Sequence, residues 1–166
     1  MSANAWLGGE NQNKGGQQRE TRWLTPKPVV EALGEFDLDP CGAPGHNLAR
    51  QTYLIDRGED GLALPWHGRV WLNPPYGKEA YPFLDKLSHH GTGTALIFAR
   101  TETEAFYKYV WERANAVLFI KGRLSFLDAN GVRAKANAGA PSCLVAYGPY
   151  DCIRLRHSGL GKVVEL

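Results

Sequence analysis

The four residues Asn73-Pro74-Pro75-Tyr76 carry the most specific chemical signal in the sequence. An amino group on an aromatic ring, such as that of adenine, is a poor nucleophile because its lone pair is delocalised into the ring. An Asn73 side-chain carbonyl and the Pro74 backbone carbonyl, held rigid by Pro75, can each accept one N–H and free that lone pair. Tyr76 offers a face for stacking, worth about 1–3 kcal/mol per base. The tetrapeptide therefore predicts a site that methylates a planar amino nitrogen.

Two consecutive prolines also have a purely structural interpretation. Proline cannot donate to the hydrogen-bond ladder of a sheet, so the segment can simply be a rigid turn between a strand and a helix. That alternative accounts for Pro74 and Pro75 but not for the amide before them or the aromatic ring after them. The chemical interpretation accounts for all four residues.

Two further segments place polar groups directly after apolar stretches. Asp39-Pro40-Cys41 follows an alternation of apolar and acidic residues at 36–38, and Arg100 follows the apolar run 94–99. In an open α/β sheet, ligands bind outside the carboxyl ends of the strands. At such an edge Asp39 can bind a cationic group. The alternative is an acid that caps the following turn.

The pattern of apolar residues predicts an α/β fold. Short apolar runs alternate with segments whose apolar residues recur at helical spacing. Helices are predicted at 25–33, with Thr25 as N-cap and Pro26 at the first helical position, and at 79–89 and 102–114. The predicted strands are 36–39, 52–55, 69–73, 94–99, 116–120, 124–127, 142–147 and 152–155. This alternation indicates a single-domain, mostly parallel sheet with helices on both faces.

Composition indicates one globular domain. The 166 residues are 43% hydrophobic and 22% charged, which excludes a disordered chain, and no apolar run approaches the roughly 20 residues of a membrane helix. Residues 1–20 are rich in Gly, Asn and Gln, so a flexible tail is expected before a domain at 21–166.

The cysteine and histidine residues indicate the cellular compartment and the kinds of metal or disulfide site that the chain can form. The N-terminus lacks a basic and then apolar secretory signal, and the three cysteines are widely spaced, so we expect a cytoplasmic protein without a disulfide framework. The five histidines share no ligand spacing with the cysteines, and no metal site is predicted. No serine or cysteine triad and no phosphate loop ending in Gly-Lys-Ser/Thr is found in the sequence.

Positive charge is concentrated near the C-terminus. Residues 121–157 carry six Lys and Arg and two Asp, a sum of +4, and residues 158–166 are neutral. Because the whole chain sums to +2, residues 1–120 sum to −2. The basic segment is either a solvated surface or a face that meets phosphates.

Six stretches in a fixed order carry a family resemblance. They are Trp23-Leu24-Thr25-Pro26, Phe36-Asp37-Leu38-Asp39-Pro40, Glu59-Asp60-Gly61-Leu62, and the segments 70–77, 99–103 and 122–126. This order resembles the phage-type DNA N6-adenine methyltransferases, often called Dam-like, and the resemblance extends from Trp23 to about Gly148. It implies a Rossmann-like methyltransferase fold, S-adenosylmethionine as methyl donor, and adenine in DNA as acceptor. If the chain is phage-encoded, it would act in the cytoplasm of the host cell.

The resemblance also implies a cofactor site. Thr25 and Pro26 would lie near the methionine end of S-adenosylmethionine, and Thr25 can cap a helix as well. Asp39, Pro40 and Cys41 would line the cofactor at the end of the first strand.

Asp60 is a further candidate for the cofactor or for the edge of the active site. Its carboxylate can hold ribose hydroxyls or polar adenine edges. Alternatively, Asp60 and Gly61 form only a turn. Asp56 and Glu59 compete for the same ligand role.

A base-flipping enzyme needs cations for the DNA backbone and an aromatic side chain against the extruded base. The predicted DNA-binding residues are Arg100, Arg123, Phe126, Arg133 and Lys135. Arg100 can instead form a surface ion pair with Glu102 or Glu104, and Phe126 can be a core residue. The loop 128–140 can close over DNA or be disordered.

Two other functions are compatible with these motifs. The same tetrapeptide serves enzymes that methylate a guanine amino group in RNA or a glutamine amide in protein. The chain can also be a non-catalytic DNA-binding module that kept the fold. The Thr-Pro start, the segment 122–126 and the intact residues Asn73 to Tyr76 favour the DNA adenine methyltransferase. The sequence pattern does not predict whether the protein is a monomer or an oligomer.

Overall fold

The computed structural model describes residues 23–128, 130–133 and 138–166. The predicted tail at 1–20 and the candidate DNA contact Lys135 lie outside these residues. The described residues form an α/β fold around one seven-stranded sheet. Its strands are β1 Leu38–Asp39, β2 Gln51–Thr52, β3 Val70–Leu72, β4 Gly93–Phe98, β5 Ala116–Ile120, β6 Ser142–Tyr147 and β7 Gly161–Glu165.

The sheet is parallel in one half and antiparallel in the other. The strand order is β2-β1-β3-β4-β6-β5-β7. The pairs β1–β2, β1–β3 and β3–β4 are parallel, whereas β6 runs antiparallel to β4 and β5, and β7 runs antiparallel to β5. The predicted mostly parallel sheet is therefore correct only for the first half. Parallel neighbours need a long crossover, usually a helix, and no helix of the described residues joins β5 to β6.

Four helices accompany the strands in the described part of the chain. Two short 3₁₀ turns lie at Ile55–Arg57 and Gly77–Glu79. The helices are α1 Lys27–Glu31, α2 Ala80–His90, α3 Glu104–Phe106, which continues as a π-helical turn at Tyr107–Trp111, and α4 Pro149–His157. All residues of β3, β4 and β6 are buried although successive side chains point to opposite faces, so the centre of the sheet is covered on both sides.

The first helix differs from its prediction at both ends. The cap position is Pro26, not Thr25, and no side chain caps the helix. The Thr25 hydroxyl accepts a hydrogen bond from Asn73 instead. The helix ends at Glu31, two residues before the predicted end at Leu33.

The predicted strand at 152–155 is wrong, because these residues belong to α4. Asp151 in the first turn of α4 is fully buried and accepts hydrogen bonds from Arg69 Nε at 2.9 Å and Thr94 Oγ1 at 2.7 Å. A buried charged residue hides the helical pattern of apolar side chains. The prediction also missed β7, an edge strand with four of its five residues exposed.

Five other predicted elements are shorter than expected, two of which are β1 at 38–39 and β3 at 70–72. The strand expected at 52–55 is reduced to β2 at 51–52, and 55–57 is a 3₁₀ turn. The segment 124–127 forms an isolated bridge, between Leu127 and Leu24, rather than a strand. The helix expected at 102–114 becomes α3 and its π-helical turn.

Candidate active site

The strand order defines a crevice at one edge of the sheet. The chain passes from β1 to β2 on one side and then returns to β3 on the other side of β1. In open α/β sheets, ligands bind outside the carboxyl ends of the strands at such a switch point. Asp39 is the last residue of β1 and Asn73 directly follows β3. The two strongest sequence candidates therefore lie at this edge.

The Asn73 side chain is held by the segment that precedes α1. Its Nδ2 donates to the Trp23 carbonyl oxygen at 2.9 Å and to Thr25 Oγ1 at 3.2 Å. A backbone carbonyl can only accept, so the amide nitrogen must face Trp23. This orientation leaves Asn73 Oδ1 as an acceptor for another group. Thr25, which was predicted beside the cofactor, thus lies against Asn73.

The prolines and the tyrosine fix the next part of the site. Pro74 is buried, and the Tyr76 ring stacks on Phe98 with centroids 5.2 Å apart and an interplanar angle of 27°. Phe98 covers one face of Tyr76, so a substrate ring can stack only on the other face. The Tyr76 hydroxyl oxygen is buried and has no hydrogen-bond partner within the described residues. Burial raises the pKa of Tyr76.

A small cavity of about 10 Å³ adjoins Asn73. This is room for about one water molecule, so a nucleobase can enter only if the cavity widens. Its lining residues are Asn73, Pro74, Tyr76, Leu96, Ile97, Phe98, Phe126 and Ser142.

Phe126 is 5% exposed, so it is both a core residue and a wall of this cavity. Leu127, next to it, exchanges two backbone hydrogen bonds with Leu24, at 2.9 and 3.0 Å. Backbone hydrogen bonds therefore connect the Phe126 wall of the cavity to the segment 23–25, which holds Asn73.

Asp39 is a buried carboxylate at the end of β1. It is 4% exposed, and its Oδ1 accepts a hydrogen bond from the Cys41 backbone N–H at 3.0 Å. Burial raises the pKa of Asp39 to about 7. No Lys, Arg or His side chain of the described residues pairs with it. A buried carboxylate without a counter-ion is suited to a cationic ligand.

The loop that carries Asp60 lies against the end of β1. A Cβ on Gly61 would come within 2.1 Å of the Pro40 carbonyl oxygen, so the two backbones are in close contact. Burial first, and then the charges of Asp39 and Asp60, raise the pKa of the Cys41 thiol. The structure therefore brings Asp60 to the predicted cofactor residues.

The alternatives for Asp60 also have structural support. Asp60 Oδ1 accepts from the Leu62 N–H at 2.8 Å, so the residue does form a turn. Glu59 accepts from the Leu54 N–H at 2.8 Å, which gives this competitor a structural role. Asp60 is exposed and can serve a ligand as well as its turn.

Replacement of Gly61 by alanine is expected to destabilise the fold by about 1–3 kcal/mol, because the added methyl group meets the rigid Pro40 carbonyl. Gly139→Ala is the matched control, since a Cβ there meets no atom of the described residues within 4 Å. The free energy of unfolding in urea checks the prediction. Equal stability of the two variants would show that the contact with Pro40 is not constraining.

The predicted DNA contacts lie near the same edge in the described residues. Arg100 follows β4, its Nε is buried without a partner, and it forms no ion pair with Glu102 or Glu104 within the described residues. Because β4 and β5 both run antiparallel to β6, the carboxyl end of β5 points the same way. Arg123 follows β5 and donates to the Ala138 carbonyl oxygen at 3.2 Å.

Arg133 belongs to a turn after β5. Its Nη2 donates to Ser125 Oγ at 2.9 Å. The Asp128 carboxylate accepts from the N–H groups of Asn130 and Val132, both at 2.9 Å, and so closes the turn. Arg123 and Arg133 are both exposed and available to phosphates.

Three residues of the site were not anticipated from the sequence. Trp23 anchors Asn73 through its carbonyl oxygen, Phe98 stacks on Tyr76, and Ser142 lines the cavity. Phe98 could have been found, because it is the next-to-last residue of the predicted strand 94–99, close to the ligand edge. Ser142 lies at that edge only because β6 is antiparallel to β4. The direction of a strand within a sheet cannot be predicted from its local sequence pattern.

The described residues contain neither a metal-binding cluster nor a membrane-spanning helix. No group of three or more His, Cys, Asp and Glu residues among them is arranged to hold a metal ion. None of their helices combines the length and apolar character that a bilayer crossing requires.

Comparison with known proteins gives the family. The family model described as DNA N-6-adenine-methyltransferase (Dam) matches residues 12–158. No curated protein matches the chain. The family match covers most of the chain and includes every stretch that carries the resemblance. The chain thus belongs to the Dam family and is a DNA N6-adenine methyltransferase.

Proposed function

We propose that this enzyme transfers a methyl group from S-adenosylmethionine to the N6 nitrogen of an adenine that has been flipped out of DNA, on a Rossmann-like scaffold. The observation that carries the proposal is the fixed orientation of Asn73. Its amide nitrogen is occupied by Trp23 and Thr25, which leaves its oxygen as an acceptor at the carboxyl end of β3, the strand next to the one that ends at Asp39.

The amine site consists of two acceptors. Asn73 Oδ1 and the Pro74 carbonyl oxygen each accept one N–H of the N6 amino group. The nitrogen is drawn out of conjugation, and its lone pair becomes available for attack. Because Pro75 and the hydrogen bonds of Asn73 preorganise both oxygens, no reorganisation is needed at the moment of reaction. Tyr76 holds the ring by its uncovered face.

The cofactor site is centred on Asp39. When bound, S-adenosylmethionine supplies an electrophilic methyl carbon. The buried Asp39 carboxylate, which has no counter-ion among the described residues, would take the ammonium group. Pro40 and Cys41 form the floor at the end of β1, Thr25 and Pro26 lie toward the methionine end, and Asp60 takes ribose hydroxyls or a polar adenine edge.

The Rossmann-like arrangement is supported by the strand order. β1 lies between β2 and β3, and these strands and β4 are parallel. This places Asp39 and Asn73 on neighbouring strands, so a donor at one and an acceptor at the other meet at the same edge. The antiparallel β6 and β7 extend the sheet away from this crevice.

DNA is held by the basic residues near this edge. Arg100, Arg123 and Arg133 neutralise phosphates, and Lys135 remains a candidate from the sequence alone. Phe126, at the wall of the cavity, meets the extruded base. Because the cavity holds about 10 Å³, this wall must move when the base enters.

The Arg123→Ala variant is expected to weaken DNA binding and to flatten its salt dependence. Loss of one phosphate contact lowers the slope of log K against log salt concentration by about 0.9. Arg50→Ala is a control of equal charge, because Arg50 precedes β2 at the opposite edge of the sheet. DNA binding measured across a salt series checks the prediction. An unchanged slope for Arg123→Ala would remove Arg123 from the DNA interface.

The proposed function is tested by tritiated S-adenosylmethionine offered with DNA, RNA and protein in parallel. The expected result is label in DNA alone. Label in RNA or protein alone would favour a guanine amine or a glutamine amide as acceptor. Binding of DNA without binding of the cofactor would instead favour a non-catalytic module.

A further inference from the structure

The Ser142 hydroxyl is one of six buried side-chain polar atoms that have no hydrogen-bond partner within the described residues. Ser142 is 2% exposed, and its Oγ is buried without a hydrogen-bond partner within the described residues. Leaving a buried polar group unpaired destabilises the folded state, and a hydroxyl can rotate to reach any nearby partner. A serine kept in such a place needs a reason other than stability.

The position of Ser142 supplies that reason. It is the first residue of β6 and lies opposite Phe98, the last residue of β4. Ser142 therefore lies at the carboxyl edge of β4, and it lines the same small cavity as Asn73 and Pro74. Tyr76 lines this cavity as well, and its hydroxyl also lacks a partner in the described residues. Two unpaired hydroxyls thus belong to residues around one cavity beside the proposed amine site.

The chemistry of adenine matches a donor at this place. The N6 amino group donates two hydrogen bonds, for which Asn73 and Pro74 provide acceptors. The ring nitrogens N1 and N7 on either side of N6 are acceptors, so they need a donor from the protein. A hydroxyl can donate where a carbonyl cannot.

Ser142 is better suited to this task than Tyr76. A tyrosine hydroxyl lies in the plane of its own ring, so it runs alongside a base stacked on that ring rather than toward the edge of the base. Ser142 lies on β6, whereas Tyr76 lies in the segment that follows β3, so the Ser142 hydroxyl is not confined to the plane of the Tyr76 ring. The Ser142 hydroxyl can therefore approach the edge of a base that stacks on Tyr76.

We propose that Ser142 Oγ donates a hydrogen bond to the adenine ring nitrogen next to N6, N1 or N7, and so positions the target base against Asn73. This inference rests on the proposed function. In this proposal Asn73 and Pro74 bind the amino group of adenine, and Ser142 binds a nitrogen of its ring.

The first test separates a positioning residue from a structural one. Ser142→Ala should leave the free energy of unfolding unchanged or raise it, because it removes an unpaired buried hydroxyl. The same variant should lower kcat/KM for DNA by about tenfold, the loss of one good hydrogen bond. Ser142→Cys keeps the size but donates weakly, and an intermediate loss is expected. A less stable Ser142→Ala protein would overturn the proposal, because the hydroxyl would then have a structural partner such as a trapped water molecule.

The second test identifies the atom on the base. DNA is synthesised with adenine, 1-deazaadenine or 7-deazaadenine, and each is offered to the wild type and to Ser142→Ala. The wild type should lose about tenfold in kcat/KM with one of the two analogues, and Ser142→Ala should show no further loss with that analogue. Equal losses for both enzymes on both analogues would overturn the proposal, as would a wild type that loses nothing on either.

Ser88→Ala is the matched control for both tests. The Ser88 hydroxyl donates to the Asp85 carbonyl oxygen within α2, away from the cavity. This variant should lose as much with the deaza analogues as the wild type does. Methylation of unmodified DNA by the wild type is measured in the same series. Failure of the proposed function would abolish that activity, whereas failure of the Ser142 proposal would leave it intact.

Discussion

Replacement of Asn73 by alanine is expected to lower kcat by about 10²–10³-fold, the effect of losing one preorganised group that stabilises the transition state. The affinity for S-adenosylmethionine should stay nearly unchanged, because Asp39 lies on a different strand from Asn73. Without Oδ1, the N6 amino group keeps only the Pro74 acceptor and its lone pair stays conjugated. Single-turnover kinetics with saturating DNA and cofactor measure this step.

A matched variant separates the oxygen of Asn73 from its anchoring. Asn73→Ala also removes the hydrogen bonds that Nδ2 donates to Trp23 and Thr25. Thr25→Val keeps the shape of the side chain but removes one of those partners, while the Asn73 oxygen stays in place. We expect a much smaller loss of kcat for Thr25→Val. If Asn73→Ala turned over DNA as the wild type does, the amine site would be elsewhere.

Replacement of Asp39 by asparagine is expected to weaken cofactor binding by about 10–100-fold at pH 8, since hydrogen bonds to charged groups contribute about 1.5–3 kcal/mol. Burial raises the pKa of Asp39 to about 7, so the carboxyl group of the free protein is largely protonated in mildly acidic solution. An ammonium ligand favours the ionised form. The affinity of the wild type should therefore rise with pH up to about 7 and then level off.

Calorimetric titrations in buffers of different ionisation enthalpy check the Asp39 prediction. Wild-type protein should release a proton on binding the cofactor below pH 7, whereas Asp39→Asn should release none and bind with little pH dependence. Glu112→Gln removes an exposed carboxylate and should bind as the wild type does. Unchanged affinity in Asp39→Asn would place the ammonium group at another residue.

The same pKa shift predicts how the stability of the cofactor-free protein varies with pH. The folded-state pKa of Asp39, about 7, lies above the unfolded value of 3.8. Between these values the folded state binds more protons than the unfolded state, so stability falls as pH rises. The contribution is fully present below about pH 4 and is lost as pH rises through about 7. In Asp39→Asn this part of the pH dependence should vanish from urea unfolding curves.

Local sequence patterns were sufficient for the elements whose signal is local. β5 and β6 match the predicted ranges, and β4 lies within one residue of its prediction, because each is a buried run of apolar residues. The tetrapeptide at 73–76 was singled out because rigid prolines between an amide and an aromatic ring have few other uses, and the family was identified from six stretches in a fixed order. The family match confirms the family.

Contacts between distant segments were beyond the reach of such patterns. α4 was mistaken for a strand because Asp151 faces inward to Arg69, a partner 82 residues away. The N-cap prediction for Thr25 was wrong for the same reason. Its hydroxyl suggested an N-cap, but the sequence does not reveal that Asn73 lies within hydrogen-bond distance.

The central claim is that two oxygens at the end of β3 make the N6 nitrogen of adenine attack a methyl group. The most direct measurement is digestion of treated DNA to nucleosides, followed by mass spectrometry, for the wild type and for Asn73→Ala. We expect N6-methyladenine with the wild type and at least about a hundredfold less with the variant at equal times. Methylation of another nucleoside by the wild type, or equal N6-methyladenine from both proteins, would contradict it.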